Sequence, residues 1–148
     1  MLPTLVNILS AVAFLGLVAL VWLAKQTRQP GFPRWALGFP ILVAFLLTNK
    51  VYSPQYGLWL LPWFALALPD LRVFIAFEAA DVLVFLTRFR WFLQLADPLQ
   101  GVPRWTFEAA VAVRAAILVW CMVAWVRREH EPLPVLEAAK PTTAEAAA

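Results

Sequence analysis

Long apolar runs separated by short polar stretches dominate this sequence. A membrane-spanning helix needs about 20 apolar residues to cross roughly 30 Å of hydrocarbon, and the first and last runs are long enough to do so alone. Helical segments are predicted at residues 5–24, 35–52, 55–69, 73–88 and 105–126. The pattern therefore predicts an all-α, polytopic membrane helix bundle of about five hydrophobic segments within residues 1–128.

A polar interruption, "NKVYSPQY", separates the second and third segments, each of which is short for a full span. Helix is expected to continue through residue 52, because Pro54 disfavours helical geometry only at Ser53. Backbone at membrane depth leaves the helical conformation only where protein or a wet cavity satisfies its polar groups. The two short segments are therefore predicted to form a hairpin with this motif at its tip, although a surface loop with a snorkelling lysine is an alternative.

Composition supports the membrane interpretation, because 63% of the residues are hydrophobic and only 14% are charged. Ordinary soluble domains contain about 45–50% apolar and about 25% charged residues. The net charge is only +3, and most of the basic residues lie beside apolar runs. They are therefore expected to set the orientation of the chain in the membrane, and no nucleic-acid partner is predicted. No metal-ligand cluster or cofactor motif is present in the sequence, and the single Cys121 is expected to be a small buried hydrophobe.

Positive charge after the first segment sets the predicted orientation. Lys25, Arg28 and Arg34 fall in a short stretch with Pro30, which is expected to be a cytoplasmic loop. The N-terminus is then outside, the C-terminus is cytoplasmic, and the hairpin tip faces the extracytoplasmic side of the plasma membrane. Aromatic belts are expected at the inner boundary (Trp22, Trp35, Trp125) and at the outer one (Tyr52, Tyr56, Trp91, Trp105).

The last twenty residues, 129–148, are polar and rich in Ala and Pro, without apolar periodicity. Such a composition predicts a disordered cytoplasmic tail. His130 lies between two glutamates there, so it is expected to be solvated and to carry no chemistry.

Charged residues interrupt the fourth segment. Glu78, Asp81 and Arg88 are spaced i, i+3 and i+10, which places them within roughly 80° of one another on a helix. A carboxylate inside a membrane helix costs at least about 2.5 kcal/mol, so it usually faces a bundle interior or a wet cavity. Two interpretations stay open: a functional polar stripe, or a structural ion pair of Glu78 or Asp81 with Arg114 in the last segment.

Two stretches carry a resemblance to a known family. "LLTNKVYSPQYGLWLLPWFALALP", followed by "FEAADVLVFLTRFRWF", resembles the C-terminal part of polyprenyl-phosphate-sugar-dependent glycosyltransferases of the C superfamily, specifically the family 87 mannosyltransferase-like membrane proteins of actinobacteria. The resemblance covers residues 5–128. It implies transfer of a sugar, typically mannose, from a polyprenyl phosphate carrier to a lipid-linked or glycan acceptor on the extracytoplasmic face.

The resemblance also implies which residues bind the donor: Asn49, Lys50, Ser53, Gln55 and Tyr56 of the motif, with Arg88 of the next segment. In the roles expected here, Lys50 and Arg88 neutralise the prenyl phosphate. Asn49 and Gln55 exchange hydrogen bonds with sugar hydroxyls, and Tyr56 with Trp59 stacks on the sugar or isoprenoid.

The catalytic residue stays unassigned. In the family that the chain resembles, the presumed general base is acidic and lies in a large external loop near the N-terminus, whereas residues 1–4 here contain no Asp or Glu. The chain is therefore expected to be a truncated or split gene product that acts with a separate N-terminal half. The alternatives are a non-catalytic membrane subunit or scaffold, and a small transporter that uses the charges of Glu78, Asp81 and Arg114.

Overall fold

A computed structural model describes residues 2–49, 55–96 and 99–131 of the chain. These residues form helices and no strand, which confirms the predicted all-α class. The helices are α1 (Leu2–Arg28), a 3₁₀ turn (Arg34–Leu37) that leads into α2 (Gly38–Thr48), α3 (Gln55–Leu58), α4 (Leu61–Ala67), α5 (Leu71–Ala96) and α6 (Arg104–Arg127).

Two of these helices, at Thr4–Arg28 and Arg104–Arg127, are long and apolar enough to cross a membrane. Only 6% of the most apolar stretch of α1 is buried inside the protein, and large apolar side chains such as Leu9, Val12 and Leu15 are more than half exposed. A core helix of a soluble protein would be covered instead. Uncovered apolar surface of this extent favours a membrane environment for α1.

The helices alternate in direction. Asp81 of α5 pairs with Arg114 of α6, and Trp91 of α5 stacks on Phe107 near the start of α6, so these two helices are antiparallel. The ends of α1 and α6 lie together, because the Lys25 ammonium donates to the carbonyl of Arg128. We call this end of the bundle the C-terminal end, since α1, α4 and α6 all finish there.

A buried aromatic cluster joins the middle of the bundle. Phe64 of α4 packs edge-on against Phe39 of α2, with 5.2 Å between ring centroids, and lies 5.4 Å from Phe77 of α5. These contacts hold the two short predicted segments together, as expected for the arms of a hairpin. Trp125, which is predicted to lie at the inner boundary, is fully buried in the protein, where its ring packs on Phe32.

The first helix is longer than predicted. It continues through Arg28 rather than ending at residue 24, because no proline or glycine lies between residue 24 and Pro30. Gly31 then takes a positive φ of 79°, which turns the chain back toward α2. Lys25 is consequently buried within α1 and does not belong to a solvated loop.

Both arms of the hairpin differ from the predicted segments. Helix α2 ends at Thr48, not at residue 52, and Asn49 has an extended backbone; asparagine favours caps and turns because its side chain competes for backbone hydrogen bonds. The other arm is divided between α3 and α4, because Pro62 lacks an N–H and its ring would clash with the carbonyl of Leu58 in a continuous helix.

The fourth predicted segment, 73–88, is part of the longer helix α5, which begins two residues earlier and ends eight residues later. Asp70 begins the helix, because its Oδ1 accepts hydrogen bonds from the backbone N–H groups of Arg72 (2.9 Å) and Val73 (3.3 Å). The sequence has no proline or glycine between residues 71 and 97, so the helix continues past Arg88, where a connecting segment was predicted. By contrast, α6 agrees with its predicted range to within one residue at each end.

The prediction of a solvated His130 is wrong. His130 is buried, and its Nε2 lies 2.8 Å from the carbonyl oxygen of Ala67. The side chain of Gln29 donates to the carbonyl of His130 (2.7 Å) and accepts from its N–H (3.0 Å). This segment therefore packs on the C-terminal end of the bundle, while residues 132–148 of the predicted tail lie outside the described residues.

Candidate functional site

The close approach of α3 to α5 defines the candidate site. A Cβ added to the buried Gly57 would lie 2.6 Å from Oδ2 of Asp81, inside van der Waals contact. Only glycine fits this position without a shift of the carboxylate. Gln55 and Tyr56 directly precede Gly57 in α3.

Asp81 forms an ion pair across the α5–α6 interface. The Nε atom of Arg114 donates to Oδ1 of Asp81 over 2.6 Å, and the two side chains are 7% and 17% exposed, respectively. The guanidinium also lies 5.9 Å from the ring centroid of Phe77. Charged side chains in apolar surroundings usually pair with each other, because an unpaired charge there is costly. The predicted alternative of an Asp81–Arg114 pair is therefore confirmed.

Glu78 lies one turn before Asp81 on α5 and is half-buried. It does not share in the ion pair, and within the described ranges no cation pairs with it. The carboxylates predicted to act as one polar stripe thus differ in state. Asp81 pairs with Arg114, whereas Glu78 forms no ion pair within the described residues.

Three aromatic side chains, Phe45, Tyr56 and Trp59, form a wall where α2 meets α3. The ring of Tyr56 lies 4.8 Å from that of Trp59 and 5.8 Å from that of Phe45 in the last turns of α2. Trp59 remains 47% exposed. The wall connects α2 to α3 and presents an aromatic face on the protein surface, a face of the type on which a sugar ring or isoprenoid can stack.

Three of the other predicted donor-binding residues lie within the described part of the chain. Asn49 is half-buried at the end of α2, and Gln55 is exposed at the start of α3. Arg88 shares the α5 face of Asp81 about 10 Å further along the helix axis, since seven residues make nearly two turns; its guanidinium lies 5.5 Å from the ring centroid of Phe92. Lys50 and Ser53 lie outside the described residues.

Sequence reasoning missed Gly57. It stands directly after the motif, but its backbone conformation is helical, so no turn signature marks it. What requires glycine is the distance to another helix, which a local pattern does not record. Within residues 2–49, 55–96 and 99–131, no group of three His, Cys, Asp or Glu side chains is arranged to hold a metal ion.

Comparisons with protein-family models, with curated proteins and with solved structures find no match to this chain.

Proposed function

We propose that the chain is the C-terminal membrane portion of a glycosyltransferase that uses a polyprenyl-phosphate-linked sugar, typically mannose, as its donor. The acceptor is a lipid or glycan at the extracytoplasmic face of the plasma membrane. The observation that supports this most is the contact of Gly57 with Asp81, because it joins the "NKVYSPQY" motif to the charged pair of α5 and α6. The family resemblance described above supplies the substrate class.

The donor is an amphiphile, so its site must combine a cationic and hydrogen-bonding part with an apolar approach. In this proposal Lys50 and Arg88 neutralise the phosphate, and Asn49 and Gln55 bind the sugar hydroxyls. Tyr56 and the exposed Trp59 offer the aromatic face for the sugar or first isoprene units. The motif faces outward, with the N-terminus outside and the C-terminus in the cytoplasm.

Asp81 holds this arrangement in position and is not the general base. Its carboxylate is already engaged by Arg114, whose Nε donates a short hydrogen bond to Oδ1. A separate N-terminal half supplies the base in this proposal.

A non-catalytic membrane subunit or scaffold is the second candidate. The Asp81–Arg114 pair favours it, because a charge satisfied inside the chain has a structural role whether or not chemistry occurs nearby. The same pair argues against a transporter that moves a proton or substrate through Asp81, since that role requires a carboxylate that exchanges partners.

Equilibrium binding of labelled polyprenyl-phosphate-mannose to the purified full chain in detergent tests the donor site. Lys50→Gln is expected to weaken binding about tenfold, because a hydrogen bond to a charged group contributes about 1.5–3 kcal/mol. Lys140→Gln, the same substitution in the tail, is the matched control and should bind as the parent does. Equal binding by the two variants would remove Lys50 from the site.

Transfer of the labelled sugar to endogenous membrane acceptors separates the two candidates. The chain is co-expressed with a candidate N-terminal half, and each is also assayed alone. Transfer that requires both polypeptides supports the split enzyme. Donor binding with no transfer under any pairing supports a binding subunit, and absence of binding contradicts the proposed donor site.

A further inference from the structure

A groove runs between α1 and α6 at the C-terminal end of the bundle, remote from the Gly57–Asp81 contact. Its volume is 360 Å³ and its walls are apolar, formed chiefly by Leu17, Leu20, Val21, Val119, Met122 and Val123. Both helices that form it are long and apolar enough to cross a membrane. Lipid that surrounds these two helices would therefore have access to the groove.

Two arginines close one end of the groove. Arg28 stands in the last turn of α1 and Arg127 in the last turn of α6, and both are exposed. Within the described part of the chain, neither forms an ion pair with a carboxylate, and the exposed Glu129 does not pair with them. The neighbouring Lys25 is buried and engaged with the carbonyl of Arg128. The groove thus has an apolar length and a doubly cationic end.

We propose that this groove binds one anionic phospholipid. The phosphate lies between Arg28 and Arg127, and an acyl chain lies along the apolar walls. Charge complementarity selects this occupant. Two arginines that form no ion pair within the described residues, placed at one end of an apolar groove, suit a headgroup with a net negative charge, whereas a zwitterionic headgroup brings a cation of its own. Basic pockets between membrane helices on the cytoplasmic side bind anionic headgroups for this reason.

The lipid site is independent of glycosyl transfer, because none of its residues belongs to the candidate donor site. A simpler role for the arginines competes with it. Cations in the last turn of a helix interact favourably with its dipole, and that interaction requires no groove and no ligand. The two roles differ in whether the apolar walls matter and in whether lipid charge matters.

Native mass spectrometry of the full chain, released from detergent with added lipid, measures this directly. Phosphatidylglycerol is expected to remain bound as one adduct at a concentration where phosphatidylcholine of the same acyl chains does not. The double variant Arg28→Gln/Arg127→Gln should weaken phosphatidylglycerol binding about tenfold. The double variant Arg34→Gln/Arg72→Gln is the matched control, since it removes two exposed arginines that do not line the groove.

A second pair of variants tests the apolar walls. Ala24→Phe places a ring in the groove and should lower retention of phosphatidylglycerol, whereas Ala19→Phe, on an exposed part of α1 outside the lining, should not. Excess inorganic phosphate should leave the adduct in place if the acyl chain contributes. Equal retention of the two lipids, or equal loss in the groove and control variants, would overturn the proposal and leave the arginines as helix-terminal cations.

Discussion

At the scale of single residues, the candidate site depends on one glycine and one ion pair. Gly57 lets α3 approach α5, and Arg114 fixes the carboxylate that α3 meets. The pairing of Asp81 with Arg114 was one of two interpretations available from the sequence, because charges in apolar helices need partners. The requirement for glycine at position 57 could not be predicted from the sequence, because it depends on the distance between two residues that are 24 positions apart in the chain.

Replacing Gly57 by alanine is expected to lower the Tm of the protein in detergent. The new Cβ would lie 2.6 Å from Asp81 Oδ2, and the carboxylate cannot move aside without disturbing its bond to Arg114. Overpacking of this kind costs about 1–3 kcal/mol. Gly16→Ala is the matched control, because apart from its chain neighbours and the nearby backbone of α1 no atom lies within 4 Å of the added methyl group, and its Tm should not fall. Equal Tm values for the two variants would contradict the close approach.

The Asp81–Arg114 pair should show strong coupling in a double-mutant cycle. Asp81→Asn or Arg114→Gln alone breaks the ion pair and keeps one of its two covered charges, a loss on the order of 3 kcal/mol. The double variant removes both charges and should be more stable than the sum of the single effects implies. Unfolding in detergent measures the four free energies, and additive effects would show that the pair contributes little.

Acidification should loosen the C-terminal end through His130. Burial lowers the pKa of His130, the hydrogen bond to the Ala67 carbonyl partly opposes this, and the nearby Lys25 and Arg128 cations lower the pKa further. The unfolded chain, with a histidine pKa of about 6.5, therefore takes up the proton at higher pH than the folded one. Stability should be constant above that pH and fall as the pH drops toward the folded-state pKa.

Because His130 is the chain's only histidine, the decline can be assigned to one group. Thermal unfolding between pH 8 and pH 5 measures the decline. His130→Gln should lower the Tm at pH 8 and flatten its dependence on pH between 7 and 5.5. The same slope in the variant as in the parent would show that another group titrates.

At the scale of elements, the sequence predicted helices better than it predicted their ends. Apolar periodicity located α6 to within one residue, because Pro103 and the polar residues after Arg127 bound it clearly. The predicted segment ends eight residues before α5 does, because no proline or glycine follows Arg88 until Pro98. Pro62 was the available signal that the second arm of the hairpin would divide.

The start of α5 offers a test at this scale. Asp70→Ala removes the carboxylate that accepts from the N–H groups of Arg72 and Val73, so it should destabilise the protein by about 1 kcal/mol. Asp70→Asn keeps an acceptor oxygen at the same place and should retain most of the stability. Chemical unfolding monitored by circular dichroism gives both values. A loss as large for asparagine as for alanine would assign the effect to charge and not to the cap.

At the scale of the whole molecule, contacts between distant segments determine what the apolar pattern could not. The predicted alternation of segments agrees with the antiparallel α5–α6 pair and with the shared end of α1, α4 and α6. The burial of Lys25 and His130 was not predictable, because each is polar and is covered only when residues about a hundred positions apart meet. Because Lys25 is buried in α1, the predicted orientation rests on the remaining basic residues, and labelling from each side of the membrane can measure it.

Cysteine labelling in intact cells makes that measurement. Leu99, near the start of α6, is 95% exposed, and Glu131 is exposed at the opposite end of the bundle. Each is replaced by cysteine in a separate variant, and neither substitution removes a basic residue. The native Cys121 is fully buried and should stay unlabelled. With the N-terminus outside and the C-terminus cytoplasmic, a membrane-impermeant maleimide should label the cysteine at residue 99 in intact cells and that at residue 131 only after lysis. Labelling of both positions before lysis would contradict a membrane-spanning arrangement, and the reverse pattern would place the "NKVYSPQY" motif on the cytoplasmic side, where an extracytoplasmic sugar donor could not reach it.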